Sequence, residues 1–178
     1  AVLIVFCGYS LFWGVHYYGD SFSDKSGLAP RGATAEELAS LTASFAAKAS
    51  ELSGSVPRDD SGVFAEDTGD ILARSRGIYQ GVCREFSFLD GPERRPKPMV
   101  LSRLYSVMGF TGFLFPFTGE ANVNVDAPAC LFPSTILHEM AHQRGVAPEQ
   151  EANFVAILAG FVWALSLYFL PKDNTAEA

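Results

Sequence analysis

Two charge-free apolar runs bound what this chain can fold into. Residues 1–18, AVLIVFCGYSLFWGVHYY, and residues 154–170, FVAILAGFVWALSLYFL, contain no Asp, Glu, Lys or Arg. Such runs leave water, either into a protein core or into lipid. As a helix the second run extends about 25 Å, the short end of a membrane span. It is expected to be either a span or a hydrophobic core helix. The first run ends in Trp13, Tyr17 and Tyr18, residue types that gather at membrane–water boundaries. It reads as the end of a transmembrane helix. A secretory signal describes it less well, because no basic stretch precedes the apolar residues. Only 19% of the chain is charged and its mean hydropathy is +0.15, so membrane lipid is an expected partner. The net charge of −7 leaves no basic stripe to displace counterions from phosphate, which disfavours a nucleic-acid partner.

The runs divide the chain into an apolar N-terminal segment (1–18), a domain (19–151), an apolar helix (152–170) and a polar tail (171–178). Within the domain, Thr34 and Glu37 have capping-box spacing, and Leu38, Leu41, Phe45 and Ala46 recur at helical intervals, predicting a helix over 34–53. Ile71, Leu72, Ile78 and Val82 predict a second over 65–86. Residues 99–104 read as a strand. So do residues 120–126, where Asn122, Asn124 and Asp126 alternate with Val123 and Val125. Pro133, Ser134 and Thr135 open a further helix, with Ser134 or Thr135 at its cap. It runs through Gln143 to a stop at Gly145, and Pro148 suits the first position of the next helix. Cys7, Cys83 and Cys130 are odd in number and form no CxxC pair, so no disulfide framework is expected.

The chemistry concentrates in His138-Glu139-Met140-Ala141-His142. On a helix, His138 and His142 lie one turn apart on one face, where two imidazoles converge on one Zn²⁺. Zinc brings the pKa of a coordinated water to roughly 7, and Glu139 is placed to take its proton as general base. A catalytic zinc needs a third protein ligand and an open position. Glu149 and Glu151 both follow closely. Glu149 is the preferred ligand, since Asn153 shares its helix face and can steady a ligand from behind. Glu151 is the alternative. Asn122 and Asn124 are expected to face the cleft if the strand over 120–126 holds an extended peptide by β-addition.

The runs His138-Glu139-Met140-Ala141-His142-Gln143-Arg144-Gly145, Glu149-Gln150-Glu151-Ala152-Asn153-Phe154-Val155-Ala156 and Phe115-Pro116-Phe117-Thr118-Gly119-Glu120-Ala121-Asn122-Val123-Asn124 together resemble a bacterial membrane-protein family, the domain of unknown function numbered 3810. The resemblance extends from Leu11-Phe12-Trp13-Gly14 to Ala156. It implies a gluzincin-type metallopeptidase with several membrane helices. The spacing from Glu149 to Asn153 is similar to the ExxxD of membrane zinc peptidases of the CAAX-prenyl and heat-shock type, where the first acid is the third zinc ligand. The expected fold is therefore α+β and zincin-like: mostly helical, with a small antiparallel sheet, an HExxH helix and flanking apolar helices. The expected function is a membrane-anchored zinc metallopeptidase acting on a peptide or protein. The expected location is the bacterial plasma membrane, with the domain on the extracytoplasmic side. A non-catalytic zinc protein, structural or sensory, is the alternative.

Overall fold

The computed structural model describes residues 2–169 except Glu93, with side chains through Phe161. The polar tail expected over 171–178 lies outside the described residues, as do the side chains of the last part of the 152–170 helix. Eight helices of the described residues run in the order α1 (Val2–Phe12), α2 (Phe22–Ser26), α3 (Ala35–Leu52), α4 (Thr68–Arg74), α5 (Ile78–Glu85), α6 (Ser102–Val107), α7 (Phe132–Gln143) and α8 (Glu149–Phe169). Three short strands join them: β1 (Lys97–Pro98), β2 (Gly112–Phe115) and β3 (Glu120–Val123). The chain is thus mixed α and β, and mostly helical.

The core gathers around an α7–α8 hairpin. Phe132, Ile136, Met140 and Ala141 of α7 meet Ala152, Val155 and Ala159 of α8, all buried. The helices approach closely because Gly160 faces Leu137, where a Cβ would stand 3.3 Å from Leu137 Cδ1. Tyr79 and Val82 of α5 close the other side, and the Tyr79 hydroxyl donates to the Leu137 carbonyl at 2.6 Å. The first half of α8 is thus a core helix, although Phe154, Ile157 and Phe161 point outward.

The capping box forms as its spacing predicts. Thr34 Oγ1 accepts from the Glu37 amide at 3.1 Å, and Glu37 Oε2 accepts from the Thr34 amide at 2.9 Å. The helix expected over 65–86 is broken in two. Asp67 caps α4 through the Gly69 and Asp70 amides, and Gly77, at φ +75°, reverses the chain before α5. The strand expected over 99–104 is also corrected. Met99 donates its amide to Val123 O, but the chain then turns into α6.

That turn changes the sheet. Its order is β1-β3-β2, with β2 antiparallel and β1 parallel to β3. The sheet is mixed rather than antiparallel, because α6 carries the chain across between β1 and the β2–β3 hairpin. Along β3 the alternation holds: Ala121 and Val123 are buried, and Glu120 and Asn122 are partly open.

The stretch Val2–Ser26 is apolar and long enough to cross a membrane, with a mean hydropathy of 1.3 in its most apolar window and none of that window buried. A signal sequence has the same character. Beyond α1 it passes through a 3-10 turn at Gly14–Tyr18 into α2.

Candidate metal centre

The last turn of α7 and the first turn of α8 meet at a tight corner. Gly145, at φ +83°, makes the reversal, and the Val146 amide returns to Ala141 O at 3.2 Å. This turn sets Glu149 opposite the two histidines. His138 Nε2 and His142 Nε2 lie 3.0 Å apart. Glu149 Oε2 is 3.1 Å from the first and Oε1 is 3.6 Å from the second.

The other ring nitrogens orient the pair. His142 Nδ1 lies 2.7 Å from Val146 O. A carbonyl only accepts, so the proton is on Nδ1 and the lone pair on Nε2. His138 Nδ1 lies 2.9 Å from Asn153 Oδ1, which assigns the same tautomer with the amide oxygen facing the ring. Burial holds the His142 imidazole below its ordinary pKa, against the opposing pull of the Val146 carbonyl. Both Nε2 atoms therefore point into one 3.0 Å gap beside a carboxylate. Tetrahedral ligands at about 2.0–2.1 Å from zinc would be separated by about 3.3 Å. The donor set of His138, His142 and Glu149, whose atoms lie within 4.8 Å of one another, fits such an ion.

Glu139 sits behind this corner at 4% exposure, and its Oε2 has no protein partner. Burial pushes its carboxyl up to about 8, and the Glu149 carboxylate acts in the same direction. A cation at the histidines would act in the opposite direction. The carboxylate fits only because residue 112 is glycine. A Cβ there would meet Glu139 Oε1 at 2.4 Å. These groups share a cleft of about 510 Å³ with Tyr9, Trp13 and the 109–114 segment. The Trp13 ring meets His142 edge-on at 5.4 Å between centroids.

Glu151 points away from the corner. Its carboxylate accepts from the Phe22 amide at 2.8 Å, the Ser23 amide at 3.2 Å and the Ser23 hydroxyl at 2.8 Å, so it caps α2 and is committed there. Asn122 and Asn124 are not brought to the cleft. Asn124 is buried, donating to Ser106 Oγ and Phe110 O and accepting from the Asp126 amide. Asn122 turns back to Glu120 O. The expectation of a substrate-binding edge there is corrected, because β3 is the central strand and has no free edge to offer. The strand that lines the cleft is β2. Cys130 is exposed and lines a different hollow beside α3.

Sequence reasoning missed Trp13, Tyr9 and Gly112. Trp13 and its neighbours carried a second signal, since a membrane-boundary cluster also has an inward face. Gly112 lay in a glycine-punctuated aromatic run whose spacing pointed to no partner.

No curated protein and no solved structure matches the chain. The family model described as "Protein of unknown function (DUF3810)" matches residues 1–162. That span takes in α1, the sheet, both histidines, Glu139, Glu149 and Asn153, and the chain therefore belongs to this family.

Proposed function

We propose that this protein is a membrane-anchored zinc metallopeptidase of zincin-like, gluzincin type. The observation that carries the reading is the pair of Nε2 atoms 3.0 Å apart beside Glu149, backed by a buried Glu139 oxygen without a protein partner. His138, His142 and Glu149 would hold the ion. Zinc there would supply a Lewis acid for a peptide carbonyl and for an attacking water. Glu139 takes the proton of that water and passes it to the departing amine. Its buried position keeps bulk water from competing for the proton. Asn153 and the Val146 carbonyl hold the two imidazoles in the tautomer that presents both lone pairs. β2 is an outer strand that lines the cleft, so an extended peptide can add beside it.

The anchor is the apolar N-terminal segment, residues 1–18, with Trp13, Tyr17 and Tyr18 at the bilayer boundary, in a bacterial plasma membrane with the domain extracytoplasmic. A closed, non-catalytic zinc site, which needs a fourth protein ligand such as Glu151 or Cys130, is the weaker reading, because Glu151 is engaged with α2 and Cys130 lines another hollow. The test is metal analysis of the purified full chain with cleavage of a mixed peptide library. One zinc per chain and cleavage lost in Glu139→Gln are expected. Zinc-free protein, or undiminished cleavage by the variant, would overturn the proposal.

A further inference from the structure

The cleft is walled on two sides by charge-free chain. One wall is the end of α1: Tyr9 and Trp13 line the cleft, Phe12 meets Phe117 at 5.6 Å, and a Cβ on Gly8 would stand 3.1 Å from Phe117 Cε1. The other wall is the α6–β2 connection and β2. From residue 104 to residue 119 there is no Asp, Glu, Lys or Arg. Outside both walls, apolar side chains stand open. Val2 and Ile4 are 84% and 77% exposed on one side, and Val107 and Met108 are 84% and 51% exposed on the other. Large apolar side chains exposed in neighbouring positions along both walls mark a surface that is normally covered. Two observations name the cover as lipid. The first wall belongs to a stretch long and apolar enough to cross a bilayer. The aromatic cluster at its end has the chemistry of the bilayer boundary.

The wall is fixed, not loosely draped. Glu151 of α8 binds the Phe22 and Ser23 amides, and Phe22 is buried against Phe86, Phe88 and Phe154. Glu149, Glu151 and Asn153 belong to one helix, so the membrane-facing wall and the metal corner are held in one frame.

We propose that the cleft opens at the bilayer–water boundary and takes polypeptides whose extended stretch directly abuts a membrane-inserted apolar segment. This rests on the peptidase reading above. The extended stretch lies beside β2, and its apolar continuation enters lipid between α1 and α6.

The experiment uses the full zinc-loaded chain in phosphatidylcholine–phosphatidylglycerol vesicles. Trp163→Phe leaves Trp13 as the sole tryptophan. Its fluorescence should be quenched more by lipids brominated near the head group than by lipids brominated near the chain end. An unquenched Trp13 overturns the proposal. In a second arm, Glu139→Gln carries a photoreactive residue in place of Leu114. It meets two single-span peptides with the same target stretch. In one the stretch abuts the apolar segment; in the other a flexible spacer of about twenty residues, with a mean reach of about 25 Å, separates them. Cross-linking should favour the abutting peptide on the order of tenfold. Equal or reversed preference overturns the proposal. Preferred cross-linking without cleavage by the Glu139-containing chain overturns the peptidase reading and leaves the boundary cleft standing. Cleavage with an unquenched Trp13 does the reverse.

Discussion

Gly112→Ala isolates the contact between β2 and Glu139. The substitution carries no backbone penalty, because Gly112 is not among the glycines with positive φ. Its entire effect is the new Cβ, which would meet Glu139 Oε1 at 2.4 Å, Cγ at 2.7 Å and Cδ at 2.8 Å. Ordinary contact begins near 3.4 Å, so the carboxylate must retreat by about 1 Å. Glu139 is buried in α7 and cannot swing into water without breaking its surroundings. A displacement of about 1 Å at a catalytic group costs on the order of a hundredfold in rate, equivalent to about 2.7 kcal/mol. Overpacking adds about 1–3 kcal/mol of destabilisation, a fall in Tm of a few degrees per kcal/mol for a chain of this length. The ligand atoms of His138, His142 and Glu149 are untouched, so zinc content should remain at the parental level. The assay is peptide cleavage at 25 °C on protein shown to be folded, with zinc measured on the same sample. Gly32→Ala, where a Cβ meets nothing within 4 Å, is the control. Activity within twofold of the parent would refute the reasoning. So would loss of zinc, which would put Gly112 in support of the metal corner instead.

Glu149→Ala and Glu151→Ala should separate cleanly: the first loses zinc at near-parental stability, and the second keeps zinc but loses about 2 kcal/mol as α2 loses its three hydrogen bonds. Metal analysis and thermal melting of both variants check this. Asn153→Ala removes the acceptor 2.9 Å from His138 Nδ1, and should weaken zinc about 10- to 100-fold in a chelator competition. Tyr79→Phe deletes the buried hydrogen bond to Leu137 O, and should cost about 1 kcal/mol in urea melts. The Arg144 guanidinium stacked 4.1 Å from that ring stays in place, so cleavage should be unchanged.

The helix carrying the histidines was legible because its signals are local. Apolar flanks, Pro133 in the first turn and Gly145 past the end all lie within one stretch. Even there the cap was misread: Ser134 and Thr135 donate their hydroxyls to Leu131 O rather than accept from amides. The break at Gly77 was hidden because the apolar residues on either side keep helical spacing through it. The 99–104 segment has strand-like composition, yet Ser102 bonds Met99 O and receives the Val125 amide, which anchors a helix instead. Period two along 120–126 revealed that β3 has two faces, but not that neighbours occupy both of its edges. The role of Glu151 was invisible for a different reason: its partners Phe22 and Ser23 lie 129 and 128 residues away, and no local pattern encodes a contact at that distance.

The same separation sets an order of assembly. His138 and Asn153, the outer members of the metal corner, are 15 residues apart, whereas the Phe22–Glu151 contact closes a loop of well over a hundred residues. Short loops close at lower entropic cost and sooner. During synthesis α1 emerges first, yet Phe22 and Ser23 meet Glu151 and Phe154 only after α8 has been made. The ligand hairpin should therefore gain protection before the N-terminal wall docks, and pulse-labelled hydrogen exchange should record the α7 amides ahead of those of Phe22 and Ser23. A chain stopped short of α8 has the apolar N-terminal stretch and two of the three candidate ligands, but lacks the Glu149 and Asn153 that complete the cleft.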